Sequence, residues 1–230
     1  MIIRIFGLDN DLIIDEEKIS LINVYSNKLY SKLIEDLNNK IKGENEEDSI
    51  IILNDQGEEI NYSKEMVMII DYYNFDINSK KILGILYEYL SNYIKTEQSY
   101  IIEKSINDLK AYIEVQVSDL PIEFSMKDDI KYSDLFKMFD IKVDFSNRKS
   151  ILERIEGFID ILKIMKICNV LILVNIKHFL TNEELIELYK YSLYNSIKLV
   201  LLEQGEESKL LPYEQVLQID ESFCDSIKLN

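Results

Sequence analysis

The chain has 230 residues, of which 47% are hydrophobic, and a formal net charge of −16. This hydrophobic content is enough for a sizeable core, in one domain or two smaller lobes, and the acidic balance argues against a general nucleic-acid-binding protein. Only six Gly and two Pro residues are present, so long helices are expected rather than the many turns of an all-β sandwich.

Cysteine and histidine usage excludes further classes. The chain has one His and two Cys, Cys168 and Cys224, which form no CxxC pair. A zinc site is therefore not expected, and both cysteines are expected to be free thiols in a reducing compartment. There is no signal peptide, and no apolar run approaches the roughly 18 residues that cross a bilayer. The sequence therefore predicts a cytoplasmic protein without membrane association.

The first 71 residues predict short strands and one helix. Residues 1–14 fit one or two strands, and Ile19–Val24, Ile50–Leu53 and Met66–Ile70 fit further strands. After Val24, apolar residues recur at helical spacing, which predicts an amphipathic helix. These elements are typical of half of an α/β lobe.

The junction between the strand at Ile19–Val24 and the following helix is where a nucleotide-binding fold carries its phosphate loop, GxxxxGK[ST]. Between Leu21 and Lys32 the sequence contains no glycine, so the backbone lacks the residues that readily make a phosphate cradle. Lys28 is interpreted as a solvated charge.

The pattern becomes helical between residues 73 and 144. Apolar residues at three- and four-residue spacings predict two long helices, Ser79–Tyr93 and Tyr100–Val117, followed by a short helix at Ser133–Phe139. The segment Ile141–Val143 is expected to return toward the sheet. We therefore predict an α-helical leg domain at 73–144, inserted into an α/β head domain formed by 1–72 and 145–230.

The C-terminal part contains the strongest strand. After a predicted helix at Ser150–Lys166, Val170–Val174 are five apolar residues in a row, which suits a strand buried on both faces. A helix capped by Thr181 or Asn182 and a strand at Ile197–Leu202 complete a βαβ unit with parallel strands. One more short strand is expected from Val216–Ile219 and Phe223.

The sequence shows no recognisable set of catalytic residues. A Walker B strand would end in an acidic residue, but the strand at Val170–Val174 is followed by Asn175 and Ile176, so ATP hydrolysis is not expected. His178 has no recognisable Ser or Cys nucleophile, and it is interpreted as a structural hydrogen-bonding residue.

A charged segment near the end of the helical insertion is the most unusual local feature. Four carboxylates without His or Cys suit a hard cation such as calcium, although the spacing is not an EF-hand and by itself favours a solvated acidic face. Between residues 127 and 149 six cations outnumber five acids, which is either ordinary surface or a zone that contacts DNA phosphates. The carboxylates are Glu123, Asp128, Asp129 and Asp134, and the cations are Lys127, Lys131, Lys137, Lys142, Arg148 and Lys149.

Several segments together resemble a known family, the accessory protein of subtype II-A CRISPR loci that acts in spacer acquisition. Phe75–Ser79 and Val174–Thr181 are the most telling pieces, and the order and spacing agree over nearly the whole chain. The segments are Lys64–Leu83, Asp134–Asp144, Ile151–Ile164, Val170–Tyr191 and Lys198–Glu203.

The resemblance implies a head lobe similar to a degenerate ABC-type ATPase core, with a helical leg and no enzymatic activity. It also implies a homotetrameric ring that is stabilised by calcium and takes double-stranded DNA ends through a central hole, without sequence preference. The implied partners are the CRISPR adaptation integrase complex and the effector nuclease.

By this resemblance the calcium ligands fall between Glu123 and Asp134; Asp128, Asp129 and Asp134 align best and Glu123 less closely. Lys137 and Lys142 match basic positions of the family, whereas the other four cations rest on local charge. Two alternatives remain: a protein scaffold for the adaptation complex with little DNA binding, and a nucleotide-dependent enzyme with an unrecognised motif.

Overall fold

A computed structural model describes residues 1–44, 48–97, 99–166, 168, 170–205 and 210–229. The chain divides into two compact units, one formed by Met1–Phe75 with Phe145–Asn230 and the other by Asp76–Asp144. The first unit contains all the described strands, and the second contains three helices. The strands are β1 (Ile2–Ile5), β2 (Leu12–Ile13), β3 (Ile19–Val24), β4 (Ile50–Leu53), β5 (Met66–Ile69), β6 (Val170–Val174), β7 (Lys198–Gln204), β8 (Glu214–Ile219) and β9 (Asp225–Leu229). The helices are α1 (Asn27–Lys42), α2 (Tyr62–Glu65), α3 (Lys80–Glu97), α4 (Ser99–Val117), α5 (Tyr132–Met138), α6 (Ile151–Met165) and α7 (Asn182–Tyr194).

The larger sheet of the first unit follows the order β5-β6-β7-β3-β8-β9. Neighbouring strands are parallel except for β9, which pairs antiparallel with β8. All five residues of β6 are buried, and β6 lies between β5 and β7, as the continuous apolar run predicts. The mixed α/β fold class and the βαβ unit from β6 to β7 are thus confirmed.

The N-terminal strands form a sheet of their own, because β1 pairs antiparallel with both β2 and β4. Their inward residues join one hydrophobic core with α1, which contributes Leu33 and Leu37, and with the larger sheet. The prediction of one or two strands within residues 1–14 is therefore confirmed, and the structure has two. The sequence did not predict that these strands form a sheet separate from the parallel one, because strand periodicity carries no information about pairing partners.

Helix ends in the first unit follow the capping chemistry of the sequence. Thr181 caps α7 in a reciprocal capping box with Glu184, and Ser150 does the same for α6 with Glu153. In each box two backbone N–H groups that lack helical partners are satisfied. The predicted cap at Thr181 is confirmed.

The last predicted strand is confirmed for Val216–Ile219, which lies within β8, but the prediction is wrong for Phe223. Phe223 lies in a bend with φ of 63°, and the chain then forms β9, which the sequence analysis missed. The segment Ile141–Val143 is irregular; its backbone is held by the amide side chain of Asn78, which both donates to Val143 O (3.1 Å) and accepts from Val143 N–H (2.9 Å). Side-chain hydrogen bonds of this kind replace a strand partner.

The helical unit packs α3 against α5, where the Tyr87 and Phe136 rings lie 5.7 Å apart. Helix α4 differs from the helices of the first unit because none of its residues is buried. Among the described residues, no helix is both long and apolar enough to cross a membrane.

Candidate functional site

The predicted calcium ligands lie at the end of the helical unit, in the irregular segment after α4 and in the first turn of α5. Asp134 is the carboxylate with the best-defined partners: its oxygens lie 3.1 Å from Lys127 Nζ and 3.7 Å from Lys137 Nζ. The hydrogen bond from Lys127, with the charges of both lysines, lowers the pKa of Asp134 below its usual value. Asp134 is therefore neutralised by lysine in this structure.

The other predicted ligands do not converge on Asp134. The backbone carbonyl of Asp128 accepts a hydrogen bond from Lys110 Nζ at 2.8 Å, Asp129 lines a neighbouring cavity, and Glu123 is exposed. Within the described residues, no group of three or more His, Cys, Asp or Glu side chains is arranged to hold a metal ion. The described residues of one chain thus do not form a calcium site in this arrangement: the segment 123–131 would have to rearrange, or a second chain would have to supply ligands.

Most of the predicted DNA-binding cations already have acidic neighbours. Lys127 and Lys137 both contact Asp134, and Lys142 Nζ lies 2.7 Å from Asp140, which raises the pKa of Lys142 chiefly through that hydrogen bond. These ion pairs are exposed, so each contributes little to folding and can exchange for a phosphate at modest cost. Because an ammonium group has three N–H donors, a phosphate could bind these lysines beside the acids that they contact or in place of them.

Arg148 belongs to the first unit, and its side chain is fixed by several contacts there. The guanidinium donates to Glu153 O at 2.8 Å, lies 3.3 Å from Asp160 and is 5.3 Å from the Phe145 ring centroid. It rests against Gly157, where a Cβ atom would come within 2.4 Å of it. This environment gives Arg148 a structural role in the first unit.

The two remaining cations differ from each other. Lys131 is the N-cap residue of α5, without a side-chain capping bond, and Lys149 is exposed with its backbone N–H bonded to Glu153. No ion pair is seen for Lys131 or Lys149 among the described residues. Lys131, Asp129 and Lys137 line an open cavity of about 700 Å³ between α3, α4 and α5.

The carboxyl ends of the parallel strands, where a nucleotide would bind in this type of sheet, are closed by tyrosines. Tyr30 OH donates to Leu202 O at 3.4 Å, and Tyr72 OH donates to Val174 O at 2.8 Å. The connection from β3 to α1 consists only of Tyr25 and Ser26, and Ser26 caps the helix. Two residues are too few for a phosphate loop of the GxxxxGK[ST] type.

Asn175 follows β6, at the position where a Walker B strand would end in an acidic residue. Its backbone has φ of 56°, a left-handed conformation that Asn tolerates better than most residues. Its N–H donates to Leu202 O at 2.9 Å, and its side-chain oxygen accepts from Gln204 N–H at 3.1 Å, so it extends the pairing with β7. Asn175 therefore has a structural role at this position.

Glu203 is a candidate functional residue that the sequence analysis did not single out. It lies on β7, directly after the apolar run that begins at Leu199, and is only 4% exposed. A lone acidic residue at the end of a buried strand is the signal that could have identified it, because isolated carboxylates are rarely buried. In the sequence it is visible only as the last residue of the family-like segment Lys198–Glu203.

Together, these features define an α/β protein with a helical unit, whose parallel sheet has no phosphate loop after β3 and no acidic residue after β6. A comparison with family models matches residues 43–221 to the family described as CRISPR-associated protein (Cas_Csn2). Because the match spans most of the chain, the protein belongs to the Cas_Csn2 family, and the resemblance seen in its sequence is confirmed. Membership associates the chain with CRISPR adaptation and antiviral defence.

Among solved structures, the crystal structure of Stu0660 of Streptococcus thermophilus is similar over 99% of this chain and 76% of that chain, with a TM-score of 0.63 and 13% sequence identity. At this identity the likeness concerns the fold alone. A comparison with curated proteins gave no match.

Proposed function

We propose that this protein is a non-enzymatic, double-stranded DNA-binding protein of CRISPR spacer acquisition. In this proposal four copies form a ring, calcium stabilises the ring, and free DNA ends enter a central hole without sequence preference. The family match over residues 43–221 carries the proposal. The adaptation integrase complex and the effector nuclease are the proposed partners.

The lack of enzymatic activity is supported by the carboxyl ends of the parallel strands. The hydroxyl groups of Tyr30 and Tyr72 donate hydrogen bonds to strand carbonyl groups there. The connection after β3 is also too short to surround a phosphate. We propose that the parallel sheet is a degenerate relative of an ABC-type ATPase core, in which these tyrosines and Asn175 replace the nucleotide-binding groups.

Assembly into a ring is supported by helix α4. Large apolar side chains on one stripe of this helix are exposed, including Ile101 (65%), Leu109 (55%) and Tyr112 (65%). Covering such a stripe with another copy would remove apolar surface from water, at roughly 25 cal/mol for each Å². A second copy would also bring additional carboxylates toward Asp128, Asp129 and Asp134, which one chain does not assemble into a metal site within its described residues.

The proposal is tested by a mobility-shift comparison of linear and covalently closed circular duplexes of one sequence, each with calcium and with a chelator. The mass of the oligomer is followed in parallel. Binding of the linear duplex alone, by a tetramer that requires calcium, is the expected result. Equal binding of both duplexes would place the DNA on an outer surface and reject the ring mechanism.

A protein scaffold is the second candidate function, because the acidic neighbours of Lys127, Lys137 and Lys142 favour it. In that case the exposed stripe of α4 would bind the adaptation complex, and DNA would not be a ligand. An intact tetramer that does not bind a blunt duplex even at low salt would support the scaffold.

A further inference from the structure

Three charged groups are buried around the strands β7 and β8. Lys177 and Glu214 form an ion pair of 2.6 Å, with side chains that are 12% and 0% exposed. Glu214 also accepts hydrogen bonds from Tyr189 OH at 2.7 Å and from Leu211 N–H at 2.8 Å. The charge of Glu214 is therefore compensated by one buried ammonium group and two further donors.

Glu203, the third group, has no comparable compensation. Its Oε1 accepts a hydrogen bond from Lys177 N–H at 3.1 Å, whereas its buried Oε2 has no hydrogen-bond partner among the described residues. The His178 ring faces Oε2, but its Nδ1 lies 3.7 Å away, beyond hydrogen-bond distance. Lys177 and His178 both belong to the short 3-10 turn Ile176–His178 that connects β6 to α7.

Two buried carboxylates thus face one buried ammonium group, and the excess negative charge falls on Glu203. We propose that Glu203 is a proton-operated latch on the turn Ile176–His178. With Glu203 ionised, its carboxylate holds the turn through the hydrogen bond from Lys177 N–H. When Glu203 takes up a proton, that hydrogen bond weakens and the hold on the turn is lost.

The electrostatic environment places the switch near neutral pH. Burial, with a smaller contribution from the charge of Glu214, raises the pKa of Glu203 to about 7, against the opposing effects of the Lys177 N–H and ammonium and of the Ile176 N–H. The other groups that face Glu203 are Tyr30 on α1, Tyr72 after β5 and Tyr189 on α7. These tyrosines stay neutral because burial raises their own pKa values.

The turn leads directly to an exposed aromatic cluster. Phe179 follows His178, and its ring lies 5.0 Å from that of Tyr72 and 6.0 Å from that of Tyr73. Phe179 is 40% exposed and Tyr73 is 67% exposed. The latch would therefore set the order of an exposed aromatic surface at the carboxyl ends of β5 and β6.

The backbone amide of Lys177 reports on the latch directly, because the chemical shift of an N–H that donates to a carboxyl group follows the titration of that group. We would record this resonance by NMR between pH 5 and pH 9 in wild type, Glu203→Gln, His178→Gln, their double variant and the exposed control Glu183→Gln. The expected wild-type midpoint lies near pH 7, and Glu183→Gln should reproduce it. In the double variant Glu203→Gln, His178→Gln the titration should disappear.

His178→Gln removes the imidazole next to Lys177 as a second source of chemical-shift changes, and it leaves Glu203 and its hydrogen bond from Lys177 N–H in place. The midpoint near pH 7 should therefore persist in His178→Gln. Loss of the titration in His178→Gln, or its persistence when Glu203→Gln is added to that variant, would overturn the proposal. The His178 variant alters an exposed side chain, so it tests the latch even if Glu203→Gln does not fold.

Discussion

The carboxyl group of Glu203 makes the stability of the protein depend on pH in a direction opposite to that of most carboxylates. Burial raises its pKa to about 7 in the folded state, above the ordinary glutamate value of 4.5. The folded state therefore holds the proton more tightly than the unfolded state. The resulting stabilisation is complete below about pH 4.5 and is lost as the pH rises through 7.

Because wild type loses this stabilisation as the pH rises and Gln does not titrate, we expect the free energy of unfolding of Glu203→Gln to increase relative to that of wild type as the pH rises. A difference of roughly 2.5 pKa units corresponds to about 3 kcal/mol between pH 4 and pH 8. Urea unfolding at several pH values measures it, with Glu183→Gln as the exposed control. Parallel stability curves for wild type and Glu203→Gln would contradict a buried carboxylate with a raised pKa.

Gly157 gives a second prediction at the residue scale. In the interior of a helix, Gly→Ala normally stabilises by about 1 kcal/mol, but here the new Cβ would meet the Arg148 guanidinium at 2.4 Å. Arg148 would have to leave Glu153 O and Asp160. We expect Gly157→Ala to be neutral or destabilising in wild type.

The matched background is Arg148→Ala, which removes the three atoms nearest to the new Cβ, and there Gly157→Ala should recover the stabilisation of about 1 kcal/mol. Denaturant unfolding of the four proteins in this double-mutant cycle gives the coupling energy. Equal effects of Gly157→Ala in both backgrounds would show that Arg148 does not rest on α6.

Arg148 also shows why site residues were harder to predict than strands. Its charge suggested a DNA contact, but its role follows from Gly157 and Asp160, which lie nine and twelve residues further along the chain. A count of local charges contains no information about such packing. The same holds for Asp134, whose two lysine neighbours are visible in the sequence but whose pairing with them is not.

At the scale of elements, the sequence predicted what depends on local pattern. The five apolar residues of β6 and the cap at Thr181 were recognisable because burial on both faces and helix capping leave direct signatures. β9 was missed because its residues, DSIKL, alternate only weakly and it lies at the edge of the sheet, where exposed positions are tolerated. An edge strand forms by hydrogen bonding to a single neighbouring strand, which for β9 is β8.

Helix α4 gives the prediction at the element scale. If its exposed stripe binds another copy, Leu109→Glu should shift the oligomer toward smaller species, because a charge would be buried in the interface. Since Leu109 is 55% exposed in the single chain, its substitution should change the free energy of unfolding of an isolated subunit by no more than about 0.5 kcal/mol.

Asn107→Glu provides the same added charge on the same helix, on an exposed position away from the stripe. Sedimentation velocity over a range of protein concentrations distinguishes the two variants. Dissociation by Asn107→Glu and Leu109→Glu alike would mean that net charge, and not the apolar stripe, controls assembly.

For the whole molecule the question is how an acidic protein could bind DNA. Four copies of a chain with net charge −16 carry −64, which repels DNA from any outer surface at low ionic strength. Binding would need a local region where cations outnumber acids, and the segment 127–149 is the candidate. Lys137 and Lys142 contact Asp134 and Asp140, so a phosphate competes with these acids for the charge of the two lysines.

Because exposed ion pairs are weak, we expect phosphate to win that competition and Lys137 and Lys142 to contribute to DNA affinity. Each lysine that neutralises one phosphate contributes about 0.9 to the slope of log K against log salt concentration. The double variant Lys137→Gln, Lys142→Gln should therefore lower the magnitude of this slope by roughly two for each subunit that contacts the duplex, equally for duplexes of different sequence.

The exposed Lys28 on α1 supplies the control, because Lys28→Gln changes the net charge without touching the segment 127–149. Titrations of a linear duplex at four or more salt concentrations give the slopes. A slope that falls equally with Lys28→Gln would reflect the overall field alone. A slope that stays unchanged in the double variant would remove Lys137 and Lys142 from the DNA path, and the ion pairs with Asp134 and Asp140 would then be their whole role.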